Sequence, residues 1–224
     1  MTHPIDRIIY IDNHLIAVTK PAGLLTQPDR NTDESLIDQT RQWIKEKYNK
    51  PNNIFLGLVH RLDRNVSGVV LFARTSKAAS RLSIQFREGT PKKHYRAIVL
   101  GKLKEKHTTL VHYLRKEKSL RATVFPRETP TAKRSELSYE VINSLEKKSL
   151  LEVSLSTGRF HQIRAQMAFI GHPILGDVKY GAPEPLPNQE IALYAHKLVF
   201  SHPVSNEEIT LTAPEPKTWE QFKL

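Results

Sequence analysis

The stretch HRLDRNVSGVVLFART (residues 60–75) places a charged triplet between two apolar runs. The runs 55–59 and 68–73 have the length and composition of buried strands. Asp63 therefore falls on a connection between two strands, and loops on rigid scaffolds are where catalytic residues concentrate. A single aspartate in a turn more often serves only to accept hydrogen bonds. The other motifs of the chain are needed to distinguish a catalytic role of Asp63 from a structural one.

Outward from this stretch, the apolar pattern predicts more strands than helices. Short apolar runs predict strands at 8–10 and 15–19, which form a hairpin-like pair, and at 95–100, 109–114, 120–125, 138–142, 150–155, 193–200 and 208–212. Helical spacing predicts helices over 33–48, 76–87 and about 160–170, with Ser76 and Thr157 as N-caps and Gly171 after the last helix. Adjacent runs of strands indicate an α+β protein with a mixed sheet. No linker is evident, so we expect one domain over residues 1–224.

The composition excludes several kinds of chemistry. The 224 residues include no cysteine, which rules out disulfides, cysteine-bound zinc, iron–sulfur clusters and thiol nucleophiles. No apolar run approaches the ~20 residues that a membrane-spanning helix needs. The N-terminus has the pattern of neither a secretory signal nor a transit peptide. We therefore expect a cytoplasmic protein that does not act at a membrane.

Positive charge is concentrated in one segment of the chain. The protein has 34 lysine and arginine residues against 23 acidic residues, which gives a net charge of +11. Residues 87–134 contain 14 basic and 4 acidic residues, whereas the remainder contains 20 and 19. Such a patch suits a polyanion such as RNA or DNA. A lysine excess that only aids solubility would more often be spread along the chain, so we favour the polyanion.

Two further stretches contain candidate site residues. In GRFHQIR (residues 158–164), His161 and Arg164 share a face if a helix begins near residue 160. An arginine can pair with a buried carboxylate and keep it ionised, although an exposed helix arginine is about equally expected. In the basic run KKHY, Tyr95 is the kind of residue on which a nucleobase stacks. A tyrosine that opens a strand is, however, more often half-buried packing.

Sequence motifs for metals and nucleotide cofactors are absent. The chain has no HExxH, GxxxxGK[ST], GxGxxG or GxSxG pattern. His60 and Asp63 have a spacing at which two ligands can share a metal, and other histidines could join them. The aspartates and histidines are otherwise not grouped as a two-metal site requires. We therefore expect neither a metal nor a cofactor.

Five stretches together resemble the RluA-type family of RNA pseudouridine synthases. Residues 60–75 resemble its signature, in which HRLD is followed by a short spacer and Ser-Gly. The other four occur in the family's order and are KPAGLLTQP (20–28), KKHYRAIVLG (92–101), GRFHQIRAQMAFIGHPILGDVKYG (158–181) and LYAHKLVF (193–200). They span nearly the whole chain, and five such motifs in order are highly specific. The resemblance implies the pseudouridine synthase fold, with a mixed, mainly antiparallel sheet, flanking helices and a central catalytic cleft.

The resemblance also implies a reaction and roles for individual residues. A uridine of rRNA or tRNA is isomerised without cofactor or metal: the base leaves C1′ through N1, turns, and rejoins through C5. Asp63 is implied as the essential carboxylate, which attacks C1′ or the base or assists a glycal-like route. Tyr95 stacks on the target base, Arg164 pairs with the catalytic aspartate, and Arg61 helps to fill the space that the flipped uridine leaves. Further substrate-binding residues implied by these motifs are His60, His161 and Leu193. RNA is the expected partner, and we expect a monomer.

The sequence departs from the family pattern at two points. Val66 stands where the family often has threonine, and Ala165-Gln166 follow HQIR where the family often has a histidine. Neither change touches the residues implied in catalysis, so we expect them to affect the choice of substrate and not the activity. The small N-terminal RNA-binding domain of many members is not expected in this chain. Residues 87–134 are therefore expected to supply RNA recognition.

Two other functions compete with the enzyme. A non-catalytic RNA-binding protein would keep the fold and lose the reaction, but retention of Asp63, Tyr95 and Arg164 together argues against it. A metal-dependent nuclease would use the histidines, and the missing metal motifs argue against that. Release of tritium from uridine C5 separates the three functions, because only the isomerisation exchanges that hydrogen.

Overall fold

The computed structural model describes residues 7–29 and 34–222. Within these residues the strands are, in chain order, β1 (Ile8–Ile11), β2 (Leu15–Lys20), β3 (Gly57–Leu58), β4 (Ser67–Ala73), β5 (Lys92–Leu100), β6 (His107–Lys116), β7 (Ala122–Phe125), β8 (Lys133–Leu145), β9 (Lys148–Leu155), β10 (Leu193–Ser201) and β11 (Glu208–Thr212). The α-helices of the same part of the chain are α1 (Leu36–Lys47), α2 (Ser76–Glu88) and α3 (Gln162–Phe169).

The chain divides into two units by its internal contacts. The first unit is Met1–Pro91 with Ala195–Pro214, and the second is Lys92–Tyr194 with Glu215–Leu224. Strand β10 therefore begins in the second unit and continues in the first. A catalytic domain can consist of two such units, and one domain over residues 1–224 stays a prediction.

Strands β2 and β4 pair in the middle of the sheet of the first unit. β1 and β2 form the predicted antiparallel hairpin, and β2 pairs antiparallel with β4 from Leu15↔Ala73 to Lys20↔Gly68. β3 pairs with the end of β4, and β11 pairs with β10, both antiparallel. Nearly all side chains of β2 and β4 are buried, which is what continuous apolar runs predict for strands covered on both faces.

Gly68 has a conformation and a neighbour that only glycine tolerates. Its φ is +119°, and an added Cβ would lie 2.3 Å from the carbonyl oxygen of Ala195 in β10. Rotation of a side chain cannot relieve a contact with backbone. The glycine after HRLD therefore allows β4 and β10 to approach closely.

The predicted strand over residues 55–59 is wrong in length. Only Gly57–Leu58 pairs as β3, and Phe55 is 51% exposed. The apolar run reaches the sheet only at its centre, because the chain at Phe55 lies on the surface. Hydrophobicity alone cannot distinguish such a run from a buried strand.

Helix α1 confirms the predicted amphipathic helix, and the predicted start at Asp33 lies outside the described residues. The buried face of the helix consists of Leu36, Ile37, Thr40, Trp43 and Ile44. Helix α2 is also confirmed, but its N-cap is Thr75 and not Ser76. The Thr75 side chain accepts a hydrogen bond from the Ala78 amide at 3.2 Å, and its backbone is extended as an N-cap requires. Threonine and serine are both common N-cap residues, so the sequence did not determine whether Thr75 or Ser76 caps the helix.

The second unit contains an antiparallel sheet in the order β5-β9-β8-β6-β7. All five predicted strands of this region are present, although β7 begins only at Ala122 because Leu120 has a φ of +55° in the preceding turn. Helix α3 contacts β6 and β7, and Leu114, Ala122, Ala165 and Tyr180 form a buried cluster there. The described strands of both units confirm a mainly antiparallel protein with few helices.

Helix α3 begins later than the sequence predicted. Its first residue is Gln162, and its N-cap is His161, whose φ of 52° and ψ of 29° are left-handed. Thr157, the predicted N-cap, instead donates from Oγ1 to Oε1 of Gln162 at 2.7 Å. The prediction that His161 and Arg164 share a helical face is therefore wrong, because His161 precedes the helix. Pattern alone does not reveal a left-handed residue that is not glycine.

The end of α3 agrees with the sequence. Gly171 has a φ of +86°, which suits the residue that follows a helix C-cap. Its amide donates to the Ala168 carbonyl at 3.0 Å, and the His172 amide donates to the Met167 carbonyl at 2.9 Å. These two bonds satisfy carbonyls that the end of a helix leaves without partners.

Candidate functional site

Asp63 lies on the connection between β3 and β4, as predicted. The Val66 amide donates to the Asp63 carbonyl at 3.1 Å, which closes a tight turn. Beside it, the Thr26 hydroxyl donates to the Leu62 carbonyl at 3.1 Å and accepts from the Leu62 amide at 3.2 Å. Both backbone groups of the residue before Asp63 are therefore held by one side chain.

The loop after β2, which contains Thr26, also holds the other side of the Asp63 turn. The Gly23 amide donates to the Arg64 carbonyl at 2.8 Å, and Nε of Arg64 donates to the Gly23 carbonyl at 2.9 Å. Hydrogen bonds thus hold the residues before and after Asp63 to the same loop. The position of the Asp63 Cα is fixed by backbone contacts, which suits a carboxylate that must meet a substrate in one geometry.

Lys20 at the end of β2 brings a buried amine to this turn. Its side chain is 0% exposed, and Nζ donates to the carbonyls of Pro21 (3.0 Å), Leu24 (2.7 Å) and Arg64 (3.0 Å). Burial lowers the pKa of Lys20 to about 7, and the negative charge of Asp63 opposes that shift. The sequence analysis predicted no role for Lys20. A lysine at the end of the apolar run LIAVT is nevertheless a signal for one.

His60 anchors the start of the same turn. Its Nε2 accepts a hydrogen bond from the Leu71 amide in β4 at 2.9 Å. Its ring stacks on Phe86 of α2, with 4.9 Å between the ring centroids and 10° between the planes. These contacts position the loop, and an additional role of His60 in substrate binding stays a prediction. Arg61, between this anchor and Asp63, is exposed.

Arg164 is buried in the second unit and paired with an aspartate that the sequence analysis did not single out. It is 5% exposed, so the alternative of an exposed helix arginine is wrong. Its Nε donates to Oδ2 of Asp177 at 2.6 Å, and a second guanidinium nitrogen donates to Oδ1 at 2.9 Å. The bidentate pair orients the guanidinium. Asp177 lies in the segment GDVKYG, within the stretch 158–181 that resembles the family, but no local pattern marks this aspartate as a partner of Arg164. Pairing of Arg164 with the catalytic aspartate stays a prediction.

His161 and Tyr180 lie next to each other in the second unit. Nδ1 of His161 is 2.9 Å from the Tyr180 hydroxyl, which also accepts a hydrogen bond from the Ala122 amide at 2.7 Å. Burial raises the pKa of Tyr180. The contact holds the left-handed residue before α3 in place, and a role of His161 in substrate binding stays a prediction.

The remaining predicted residues of the second unit lie in strands. Tyr95 is half-buried in β5, opposite Val153 of β9. Leu193 opens β10 and is 4% exposed, so its side chain belongs to the core. The predicted roles of Tyr95 and Leu193 toward RNA stay predictions. The structure thus assigns His60, Arg61 and Asp63 to the first unit and the other predicted residues to the second.

Two kinds of feature were not found in the described part of the chain, a cluster of metal-ligating side chains and a membrane-spanning helix. Among residues 7–29 and 34–222, no three His, Cys, Asp or Glu side chains are grouped as a metal site requires. Over the same ranges, no helix has the length and apolar character needed to cross a membrane.

Comparison with known families identifies the class of protein. A family model described as RNA pseudouridylate synthase matches residues 14–169, which include Asp63, Tyr95 and Arg164. The chain therefore belongs to the family of RNA pseudouridylate synthases, which are isomerases. The family inferred from the five sequence motifs is thereby confirmed.

Relatives with the same activity are similar along nearly the whole chain. The dual-specificity RNA pseudouridine synthase RluA of Pasteurella multocida is 35% identical over 217 residues, which cover 95% of this chain and 94% of that protein. RluA of Haemophilus influenzae is 36% identical, with 92% and 91% covered. The ribosomal large subunit pseudouridine synthase C of Vibrio parahaemolyticus is 33% identical, and the match covers 92% of this chain but 65% of that longer protein.

A solved structure supports the fold. The human RNA pseudouridylate synthase domain containing 4 matches with a TM-score of 0.81 at 22% identity, over 97% of this chain and 91% of that chain. At this identity the likeness concerns the fold alone. The predicted pseudouridine synthase fold, with its mainly antiparallel sheet, is confirmed.

Proposed function

We propose that this isomerase converts specific uridines of ribosomal or transfer RNA to pseudouridine, with Asp63 as the carboxylate that acts on a flipped-out base. The observation that carries the proposal is the turn of Asp63, whose neighbours on both sides are hydrogen-bonded to the loop after β2. A residue whose neighbours in the chain are held in this way has a fixed Cα position before the substrate arrives. The turn also lies within the segment that matches the family model.

The isomerisation involves no net oxidation or reduction, and a carboxylate can carry out its nucleophilic or acid–base steps. The bond between N1 and C1′ breaks, a bond between C5 and C1′ forms, the hydrogen of C5 leaves as a proton, and N1 gains a proton. An ionised carboxylate can serve as a nucleophile toward C1′ or the base, or as a base that removes a proton. Lys20 adds a buried amine close enough for its pKa to respond to the charge of Asp63.

Base flipping gives the other predicted residues their roles. A stacked or paired uridine keeps its glycosidic bond away from any side chain, so the base must leave the helix or loop at a cost of a few kcal/mol. We expect Tyr95 to stack on the flipped base and Arg61, which is exposed, to occupy the space that the base leaves. Arg164 is expected to bind near the reacting carboxylate, since one edge of its guanidinium is already oriented by Asp177.

The basic segment 87–134 is expected to bind the RNA backbone. Lys102, Lys104 and Lys106 are exposed and line a groove of the second unit. Reversal of these three lysines to glutamate should weaken RNA binding. It should also reduce the slope of log K against log salt by roughly 0.7–0.9 for each lost phosphate contact. A binding titration over a range of salt concentrations measures the slope, and an unchanged slope would contradict this role.

The proposed function is tested with RNA labelled with tritium at uridine C5. Wild-type protein is incubated separately with transfer RNA and with large-subunit ribosomal RNA, because the relatives include a dual-specificity and a ribosomal large subunit enzyme. We expect tritium release from at least one RNA, with pseudouridine at a discrete position on chemical mapping. Absence of release from both RNAs would contradict the proposed substrates.

A further inference from the structure

Two stacked rings lie at the start of α3 in the second unit. The ring of Phe160 stacks on the ring of His161, with 3.8 Å between centroids and 20° between planes. Phe160 is half-buried and packs against the apolar cluster beneath α3. Part of the ring is therefore fixed by the protein, and part of it faces solvent.

The left-handed backbone of His161 determines the direction of these rings. A residue other than glycine seldom adopts a φ of 52°, so contacts of its side chain must hold it. Those contacts include the stacked Phe160 ring and the Tyr180 hydroxyl, 2.9 Å from Nδ1 of His161. Unusual backbone conformations that the surroundings hold in place are concentrated at binding and catalytic sites.

Positive charges surround the rings. Nζ of Lys116 lies 4.7 Å from the centroid of Phe160, and Cζ of Arg121 lies 5.1 Å from that of Tyr180. Both cations are exposed on either side of the turn between β6 and β7. Cζ of Arg164 is also 5.1 Å from the Tyr180 ring. The ring cluster is thus continuous with the buried arginine to which the proposed function assigns a role at the substrate.

The ammonium of the exposed Lys116 over the Phe160 ring marks a position that a nucleobase can occupy. His161 covers one face of the Phe160 ring, so the Lys116 ammonium lies toward the other face. A lysine over a ring at an exposed position contributes less binding energy than a base stacked on the same ring. Exchange of the ammonium for a base is therefore favourable, and the displaced ammonium can bind a phosphate of the same strand.

We infer that Phe160 is a base-stacking residue of the RNA-binding surface: an unpaired RNA base stacks on its open face, and Lys116 moves from the ring to a phosphate. The inference rests on the proposed function in that the ligand is RNA. A residue that only packs against the core would need apolar bulk at position 160, whereas base stacking needs an aromatic ring. This difference separates the two roles experimentally.

The test uses a short unstructured oligouridine that contains one 2-aminopurine, whose fluorescence reports stacking. The wild-type protein should bind it with a change in that fluorescence. Phe160→Leu keeps the apolar bulk and should bind about 5- to 100-fold more weakly, without the fluorescence change. Phe160→Trp keeps an aromatic face and should retain both. Equal binding and an equal fluorescence change for Phe160→Leu and wild type would overturn the inference, and so would an equal loss in both variants when their thermal unfolding matches that of wild type.

Lys116 has a matched control in the first unit. Nζ of Lys47 also lies 4.7 Å from an aromatic centroid, that of Trp43. Lys116→Gln should lower the salt dependence of oligouridine binding by about 0.7 in slope. Lys47→Gln removes the same charge and the same kind of ring contact and should leave the slope unchanged. Equal slopes for Lys116→Gln and wild type would show that Lys116 does not reach a phosphate and would overturn that part of the inference.

Failure of this inference and failure of the proposed function give different results. The fluorescence test needs no turnover, so it gives its answer even if no RNA tested is isomerised. If wild type isomerises uridine and Phe160→Leu binds the oligouridine as wild type does, only the inference fails. If the 2-aminopurine stacks on Phe160 but no tritium is released from any RNA, the proposed substrates fail and the stacking role stands.

Discussion

In the turn that carries Asp63 the hydrogen bonds hold main-chain atoms, whereas at the start of α3 the contacts hold side chains. Around Asp63, hydrogen bonds to main-chain atoms of residues 62–64 come from the loop after β2 and from a buried lysine. At the start of α3, an ion pair, stacked rings and a tyrosine hydroxyl hold Arg164 and His161. The main-chain atoms of residues 62–64 are present whatever side chains the turn carries, whereas the contacts at the start of α3 exist only with the side chains of Arg164 and His161.

The comparison indicates which kind of substitution should harm each region. The Asp63 turn should tolerate exchange of exposed side chains but not an added Cβ where backbones approach. The start of α3 should be sensitive to loss of a single buried charged group. The free energy of unfolding should show this contrast directly.

Loss of the Arg164 guanidinium should have the largest effect on stability. Arg164→Met leaves Asp177, which is 1% exposed, without its bidentate partner. Breaking a buried ion pair in this way costs about 3–5 kcal/mol. Urea unfolding of wild type and variant measures the difference. The pair Arg41 and Asp38, with side chains 40% and 34% exposed, is a matched control, and Arg41→Met should cost less than about 1 kcal/mol. Similar losses in both variants would contradict the role of burial.

An added methyl group at Gly68 should have the next largest effect. Gly68→Ala forces a Cβ to within 2.3 Å of the Ala195 carbonyl oxygen at a φ of +119°. Backbone strain and overpacking together should cost about 3 kcal/mol. Gly171→Ala is the matched control, because its φ is +86° and an added Cβ has no neighbour within 4 Å. It should lose only about 1 kcal/mol, from conformation alone. Equal melting temperatures for the two variants would show that the contact with β10 does not matter.

Lys20 should make stability depend on pH. Its pKa falls from 10.5 to about 7 on burial, so between these values the unfolded chain binds more protons than the folded one. The free energy of unfolding should therefore rise with pH above about 7, by at most about 1.4 kcal/mol per pH unit, and this slope disappears below about pH 7. Lys20→Met should remove the slope, which urea unfolding at several pH values measures. The exposed Lys47→Met should keep it, and an identical pH profile of wild type and Lys20→Met would contradict the shift.

Much of the fold could be predicted from the sequence because it depends on local patterns. Short apolar runs predicted the hairpin of β1 and β2 and the five strands of the second unit. The charged triplet between apolar runs placed Asp63 on its connection. Gly171 predicted the end of α3, and it adopts the positive φ that glycine favours after a helix.

The features that the sequence did not predict depend on contacts between distant residues. Asp177 is 13 positions from Arg164, and nothing in the local pattern pairs them. The three carbonyls around Lys20 come from two separate loops. The left-handed conformation of His161 is held by rings and not by its own propensity, so α3 was predicted to begin too early. Candidate residues and motifs of the site could therefore be predicted from the sequence, whereas the contacts of their side chains could not.

Asp63→Asn removes the carboxylate to which the proposed function assigns the isomerisation. Asparagine keeps the size of the side chain and lacks the ionised carboxylate that a nucleophile or base requires. Tritium release from uridine C5 should fall by at least about 10³-fold, with RNA binding and thermal unfolding equal to those of wild type. Tritium release by Asp63→Asn within about tenfold of wild type would contradict the account, because no carboxylate at position 63 would then be needed.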